Sequence, residues 1–280
     1  MSKFSMSCRQ GLLLLSLILG SGSTAFQIHA AEWRVGTAKA DITPTVPIRL
    51  SGYASRTKPF AGVADPLSAR VMVFAPANGA STSKRLVVVS LDSIVSTSAF
   101  TVSLSNWLSE KYGIPRSQLV VCSTHSHAAP HLDGGLENLF TQPLSDAERK
   151  EIAQYTEDLQ TQVRGLVAEA IAAEVPADIH IGTGKATFAA NRRMLREGKW
   201  QGFGVEQSGA VDHRVRFFRA KGADGTVLGG AFQYACHCTT LGGGFEQVSG
   251  DWAGLAASRL ETLHPDSVFL PVIGCGADSN

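Results

Sequence analysis

Two short apolar runs, separated by a segment with helical spacing, form the clearest pattern in the chain. The runs read "RLVVVSLD" (85–92) and "QLVVCS" (118–123); each is continuous and rich in β-branched residues, as is typical of a buried strand. Between them, apolar residues recur at helical intervals, and Gly113 with Pro115 ends the helix. The residues of that helical face are Phe100, Leu104, Trp107 and Leu108. Strand, helix and strand with short links predict a βαβ unit with parallel strands.

A longer helix follows. Ser145 and Glu148 have the spacing of a capping box, and Pro176 is expected to stop the helix. Its predicted apolar face consists of Ile152, Tyr155, Leu159, Val163, Leu166 and Ala170. Beyond it the pattern predicts a helix over about 252–263 and strands over about 179–190, 214–220, 226–238 and 268–274. These elements predict an α/β domain with a mixed β-sheet, a βαβ unit and flanking helices.

The two ends of the chain differ from its middle. Residues 1–30 carry Lys3 and Arg9, then the apolar run "GLLLLSLILG" and small residues, which is the pattern of a secretory signal cleaved between Ala25 and Ala31. The run is too short for a membrane-spanning helix, although an uncut membrane anchor remains the alternative. At the other end, the chain stops at "PVIGCGADSN", directly after a strand-like run, so we expect residues 31–280 to be a domain truncated at its C-terminal end.

The composition says more about possible binding partners than about the fold. The 280 residues are 44% hydrophobic and carry 25 basic and 24 acidic side chains, a net charge of +1. A balance so near zero gives no reason to expect nucleic acid or an anionic membrane as a partner, and no stable protein partner is inferred. Four cysteines remain after the signal, and an exported protein can pair them, but the sequence does not choose among the pairings. They are Cys122, Cys236, Cys238 and Cys275.

The second strand leads into a histidine-rich stretch, "VCSTHSHAAPH" (121–131). His125 and His127 are two residues apart, so in extended chain they point the same way, while Asp92 follows the neighbouring strand. Ligands of open α/β sheets lie beyond the carboxyl ends of parallel strands. The arrangement suits a metal ligand beside an acid or base, and it equally suits two exposed loop histidines. We interpret His131 as a loop residue outside the site.

A second stretch, "YACHCTTLGG" (234–243), places His237 at the end of another predicted strand. Neutral imidazole is a common metal ligand. Cys236 and Cys238 would face away from it in extended chain, so we favour the histidine as ligand and the cysteines as core or disulfide partners. A core histidine between buried cysteines is the alternative. Asp251 at the start of the later helix suits an N-cap or a residue that orients a metal-bound histidine.

In order along the chain, several motifs resemble the N-terminal domain of neutral/alkaline ceramidases. They are "VGTAKADITP" (35–44), "SGYA" (51–54), "VVVSLD" (87–92), "THSHAAP" (124–130), "NRR" (191–193), "CHCTTLGG" with "VSGDWAG", and "GCGADSN". The resemblance runs from about residue 35 to residue 280. It implies an exported zinc amidohydrolase, secreted or periplasmic, that cleaves the N-acyl amide bond of ceramide-like lipids. A zinc hydrolase acting on another amide or ester and a non-catalytic metal-binding domain are the alternatives.

The resemblance also implies roles for residues. It makes His125 and His237 zinc ligands, with Cys238 standing where the family has a proline. It makes His127 a histidine beside the metal, for which Asp92 is a candidate partner. Arg192 and Ser279 map to a site arginine and serine, although the family's Pro-Asn after the serine is replaced by Asn280 and the chain end. The remaining zinc ligands, a glutamate and a tyrosine, are expected beyond residue 280, so the fragment alone should bind zinc weakly and be inactive.

Overall fold

The computed structural model describes residues 32–77 and 84–280. The proposed signal, residues 1–30, lies outside the described residues. Three α-helices are described: α1 (Ser98–Tyr112), α2 (Asp146–Ala172) and α3 (Asp251–Leu263). The strands are β1 (Trp33–Asp41), β2 (Gly62–Val63), β3 (Ser68–Pro76), β4 (Leu86–Leu91), β5 (Leu119–Ser123), β6 (Val175–Lys185), β7 (Asn191–Arg196), β8 (Lys199–Glu206), β9 (Arg214–Gly222), β10 (Val227–Tyr234), β11 (Gln247–Val248) and β12 (Val268–Ile273). Within the described ranges, no helix combines the length and apolarity needed to cross a membrane.

The predicted βαβ unit is confirmed. Strands β4 and β5 are parallel and in contact, with Val89 opposite Val121. Helix α1 begins after Thr97, whose side chain accepts a hydrogen bond from the amide of Phe100, and ends at Gly113 in the left-handed conformation (φ 65°). The apolar face predicted for this helix packs into the main core, where Phe100, Leu104 and Leu108 are buried.

The long helix α2 is also confirmed, including its capping box between Ser145 and Glu148. Its buried face packs against β1 and β3 within the main hydrophobic core. The helix ends at Ala172, four residues before the expected stop, and Pro176 instead lies within β6, opposite Arg34. The predicted strand 179–190 is therefore shifted, because the chain turns directly from α2 into β6.

Eight strands form one mixed sheet in the order β12-β10-β9-β6-β1-β3-β4-β5. Only the pairs at its two ends, β10–β12 and β4–β5, are parallel, while the pairs between them are antiparallel. The prediction of a mixed α/β sheet is confirmed. Strands β6 and β1 form its centre, and the apolar pattern did not single out β1 or its neighbour β3. The region 226–238 contributes β10, which already ends at Tyr234.

By this order, β10 and β12 run opposite to β4 and β5. A flat sheet would place the carboxyl ends of the two pairs at opposite edges. Strands twist by roughly 20–25° per step, which over seven steps accumulates to roughly half a turn. The sheet curls so that β12 packs across β3 and β4, and Ser90 Oγ donates a hydrogen bond to the carbonyl of Pro271 (2.7 Å). The carboxyl ends of both parallel pairs therefore meet, and the candidate site lies where they meet.

Candidate metal and catalytic site

His125 lies two residues beyond β5, at a left-handed backbone conformation (φ 59°) that side chains rarely adopt. Its Nδ1 lies 2.8 Å from the carbonyl oxygen of Ile94. A carbonyl only accepts, so Nδ1 carries a proton and Nε2 is the ring nitrogen left for a ligand. The flanking Ser126 donates through Oγ to the carbonyl of Ser249 (2.8 Å). The loop therefore fixes the histidine with Nε2 available as a ligand.

His237 follows β10 and is held in the same chemical form. Its Nδ1 lies 2.8 Å from the carbonyl of Gly276, and its backbone amide donates to the carbonyl of Ser279 (2.9 Å). The indole nitrogen of Trp252 donates to the His237 carbonyl (2.9 Å). Burial lowers the pKa of this imidazole. His237 is therefore neutral near pH 7, with Nε2 as its acceptor nitrogen.

His127 has no such anchor. Both of its ring nitrogens are buried and make no hydrogen bond to any residue in the described ranges. The ring packs on Gly52 (φ 97°), where a Cβ would come within 2.5 Å of the imidazole Cγ, and edge-on against Tyr53, with ring centroids 5.0 Å apart. Burial first, and then the nearby His125 and His237, lowers the pKa of His127 to about 3. Two buried, unpartnered nitrogens are costly unless a ligand or solvent group meets them.

The three imidazoles converge. One ring nitrogen from each of His125, His127 and His237 lies within 4.8 Å of the others. The ring centroids of His125 and His237 are 4.7 Å apart, and those of His127 lie 5.0 and 5.6 Å from them. Imidazoles in this arrangement are the donor set that zinc and related transition metals take. The residues present therefore fit a metal ion.

Asp92 does not serve as the partner of His127. Its Oδ2 accepts hydrogen bonds from the amide of Ser68 (2.9 Å) and from Arg70 Nη1 (3.0 Å), and both charged side chains are 1% exposed. The buried guanidinium of Arg70 would be destabilising without a negative partner, and it forms ion pairs with Asp92 and Glu261. This demand directs Asp92 toward the sheet rather than toward the cluster, so that prediction is wrong.

Asp251 is neither the N-cap nor a partner of His237. Gly250 occupies the cap position, and the Asp251 carboxylate accepts from the hydroxyl of Thr240 and from the amides of Leu241 (3.3 Å) and Trp252 (2.6 Å). It therefore holds the loop that follows His237. Its own backbone is left-handed (φ 55°).

His131 lies outside the cluster, as predicted, but it is buried rather than exposed. It pairs with the hydroxyl of Ser51 (3.2 Å) and packs on Phe140. All four described cysteines are free. Cys236 and Cys238 are completely buried beside His237, so the core interpretation of these two cysteines is the one that the geometry favours.

Arg192 and Ser279 both reach the cluster, by different routes. The Arg192 guanidinium donates to the carbonyl of Ala277 (2.7 Å from Nη2), and Nη2 also lies 3.3 Å from Nε2 of His237. Ser279 is 2% exposed and contacts His237 through its backbone carbonyl. An arginine donor therefore faces the convergence point. Ser279 instead helps to hold His237 in place, through the hydrogen bond between their backbones.

Arg56 was not predicted to take part. Its guanidinium lies over the ring of Tyr53 (4.8 Å) and donates to the carbonyls of Ser51, His127 and Phe245. It thereby ties together three loops around the cluster. The motif "SGYASR" (51–56) contained a signal for this role, since a glycine, an aromatic residue and an arginine share one short loop.

Fold and site together define an α/β domain with a histidine cluster, capable of holding a metal, at the converging ends of two parallel strand pairs. Residues 33–269 match the family described as neutral/alkaline non-lysosomal ceramidase, N-terminal. The chain belongs to this family, and the resemblance drawn from its motifs is confirmed.

The relatives agree with this assignment. Neutral ceramidase B of Dictyostelium discoideum is 23% identical over 251 residues, which is 86% of this chain and 32% of that protein. The crystal structure of neutral ceramidase from Pseudomonas aeruginosa matches 87% of this chain and 38% of its own, with a TM-score of 0.67 and 20% identity. A structure titled "Ceramidase complexed with C2" matches 87% of this chain and 37% of its own, with the same TM-score and identity. The chain spans about a third of the length of the curated relative, and the solved structures establish the fold.

Proposed function

We propose that this chain carries the metal-binding part of an exported, zinc-dependent amidohydrolase that cleaves the N-acyl amide bond of ceramide-like lipids. One observation carries the proposal: three imidazoles converge within 4.8 Å, and two of them are fixed by carbonyls at Nδ1. Family membership and the names of the relatives support the ceramide-like substrate. The sequence pattern of residues 1–30 supports export to the periplasm or outside the cell.

In this proposal His125 and His237 hold zinc through Nε2. Zinc would supply Lewis acidity toward the amide carbonyl and would make bound water acidic near neutral pH. A catalytic zinc usually has three protein ligands, so further ligands, expected to be a glutamate and a tyrosine, would come from chain beyond residue 280. Without them residues 31–280 should bind zinc weakly.

His127 is proposed to move the proton. Its ring nitrogens make no hydrogen bond to the described residues, so a lone pair is open to accept the proton lost when water adds to the amide carbon. It can then deliver that proton to the amide nitrogen as the carbon–nitrogen bond breaks, which leaves a fatty acid and an amine. Arg192 faces the same point with a charged N–H donor and is placed to stabilise the oxyanion. Ser279 holds His237 in position, so its role in the reaction is less direct than that of Arg192.

The test uses the complete reading frame that contains this chain, purified without metal. Addition of zinc should restore release of fatty acid from N-acylsphingosine, and H125A or H237A should abolish that release. If the protein hydrolyses a matched ester or a simple N-acyl amine but not N-acylsphingosine, the proposed ceramide-like substrate is wrong and the hydrolase activity stands. Zinc-independent turnover that survives both substitutions would refute the proposal.

A further inference from the structure

Strands β7 and β8 form a hairpin that belongs to a separate two-stranded sheet, outside the eight-stranded one. The hairpin is closed by Glu197 and Gly198, both with left-handed φ (52° and 73°), as a tight two-residue turn requires. Nothing in the sequence analysis predicted this element. Most of its side chains are exposed.

The hairpin exposes an unusual share of large apolar side chains. Trp200, Phe203 and Val205 are 58%, 63% and 64% exposed, and Leu195, directly opposite Trp200 across the two strands, is 54% exposed. Single exposed apolar residues are ordinary, but a cluster on one small element marks a surface that meets something else.

The same hairpin is locally basic. Residues 191–206 hold four basic and two acidic side chains, although the whole chain carries a net charge of only +1. Arg196 and Lys199 face each other next to the turn, beside Trp200. The overall charge balance, which gave no reason to expect an anionic surface as a partner, therefore conceals a local excess of positive charge at the tip.

The aromatic side chains lead to the histidine cluster. Trp200 and Phe203 are in edge contact, with centroids 5.9 Å apart, and the guanidinium of Arg192 lies 4.9 Å over the Phe203 ring. Arg192 in turn lies 3.3 Å from Nε2 of His237. An unbroken row of side chains thus runs from the exposed hairpin to the site.

We infer that the β7–β8 hairpin docks onto a lipid surface with anionic headgroups, with Trp200 and Phe203 entering the interface beside Arg196 and Lys199. Trp sits at membrane–water interfaces, and basic side chains beside it bind anionic headgroups. The centre of a stable protein interface is instead depleted of lysine. The inference rests on the proposed function for its purpose, which is to bring a lipid amide from its bilayer to the cluster.

Binding to vesicles tests this inference without any turnover. The complete protein is sedimented with vesicles of phosphatidylcholine, alone or with about a quarter phosphatidylglycerol. We compare wild type with W200Q/F203Q, with R196Q/K199Q and with the control L255Q/L263Q, which removes two exposed leucines from α3 (52% and 57% exposed). Circular dichroism checks that each variant is folded.

Wild type and the control should bind the anionic vesicles equally. W200Q/F203Q should lose roughly tenfold or more of that binding. R196Q/K199Q should lose roughly 10- to 30-fold on anionic vesicles and little on phosphatidylcholine. Equal binding by all four proteins, or none by wild type, would overturn the inference.

Tryptophan quenching by brominated acyl chains gives a second, independent measurement. Trp200 should be quenched in wild type, and W200F should still bind while losing most of the quenching. An absence of quenching difference would show that the hairpin lies against protein instead of lipid. Zinc-dependent amide hydrolysis without vesicle binding would refute this inference alone, and vesicle binding without hydrolysis would refute the proposed function alone.

Discussion

The two loops that carry the histidines are both held by hydrogen bonds from outside the loop, but only the first also carries an imidazole with no hydrogen bond to the described residues. The loop after β5 is fixed by hydrogen bonds to residues outside it. The carbonyl of Ile94 accepts from His125 Nδ1, the carbonyl of Ser249 accepts from Ser126 Oγ, and Arg56 donates to the carbonyl of His127. The loop after β10 is held in the same way, by His237 Nδ1 on the carbonyl of Gly276 and by the indole of Trp252 on the carbonyl of His237, and its histidine lies between two buried cysteines. An amide-to-carbonyl bond from His127 to Cys238 (3.1 Å) joins the two loops.

The difference teaches how one cluster can contain both fixed and responsive groups. Each loop presents one imidazole with Nδ1 bound to a carbonyl, which suits a ligand whose tautomer must not change. The first loop adds His127, whose nitrogens are buried without a bond in the described structure. A group that accepts and returns a proton needs one ring nitrogen free of such a bond, and His127 offers one.

The largest effect is expected from replacing either anchored histidine. H125A and H237A in the complete protein should each lower zinc affinity by at least about 100-fold and abolish turnover. Zinc content after dialysis, measured by mass spectrometry, checks this. Full zinc retention in one of the two variants would show that the loop concerned does not supply a zinc ligand.

H127A should lower turnover by about 10²–10⁴ while zinc content stays near one per chain, because it removes a proton carrier rather than a ligand. Parallel metal analysis and kcat measurement check this. H131A is the control for loss of a nearby imidazole, since His131 lies outside the cluster. Zinc loss equal to that of H125A would reassign His127 as a third ligand.

R192Q should lower kcat by about 10²–10³, which is the usual loss when a donor to an oxyanion is removed. Its neighbour Arg193 is exposed, so R193Q is the matched control and should change kcat little. A rise in KM with unchanged kcat would instead assign Arg192 to ground-state binding.

G52A tests the packing that positions His127. A side chain at φ 97° is strained, and the new Cβ would lie 2.5 Å from the imidazole, so we expect a loss of about 2–4 kcal/mol in the free energy of unfolding. Denaturant titration measures it. G134A is the control: its φ of 68° is also strained, but nothing lies within 4 Å of its Cβ, so it should cost only about 1–2 kcal/mol.

The smallest effect concerns the cysteines of the second loop. Burial raises the pKa of Cys236 to about 11 and that of Cys238 well above its usual range, whereas Cys275 is exposed. At pH 8 a maleimide should therefore label Cys275 first and these two only on unfolding, as read by peptide mass spectrometry. Rapid labelling of Cys236 would show that the second loop opens more readily than its packing indicates.

Local signals predicted the elements whose cause is local. The capping box of α2 and the glycine at the end of α1 depend on a few neighbouring residues, and both were found. The hairpin was missed because Glu197-Gly198 is a weaker turn signal than Asn-Gly. Asp92 was misassigned because its partner, Arg70, lies on a strand that the apolar pattern had not separated.

The meeting of His125 and His237 could not be derived from strand order, since the two parallel pairs point in opposite directions within the sheet. Only the accumulated twist brings their ends together. Motif resemblance predicted the pair by another route, because it compares whole proteins in which that twist is already present. Topology by itself would have favoured separate edges.

That twist also sets when the cluster can form during folding. The two histidines lie more than a hundred residues apart and belong to strand pairs at opposite ends of the sheet, so a chain with only part of the sheet assembled cannot bring them together. Contacts so distant in sequence form slowly. A metal held by this pair would bind the completed sheet and not its folding intermediates, and would therefore raise the stability of the finished domain selectively.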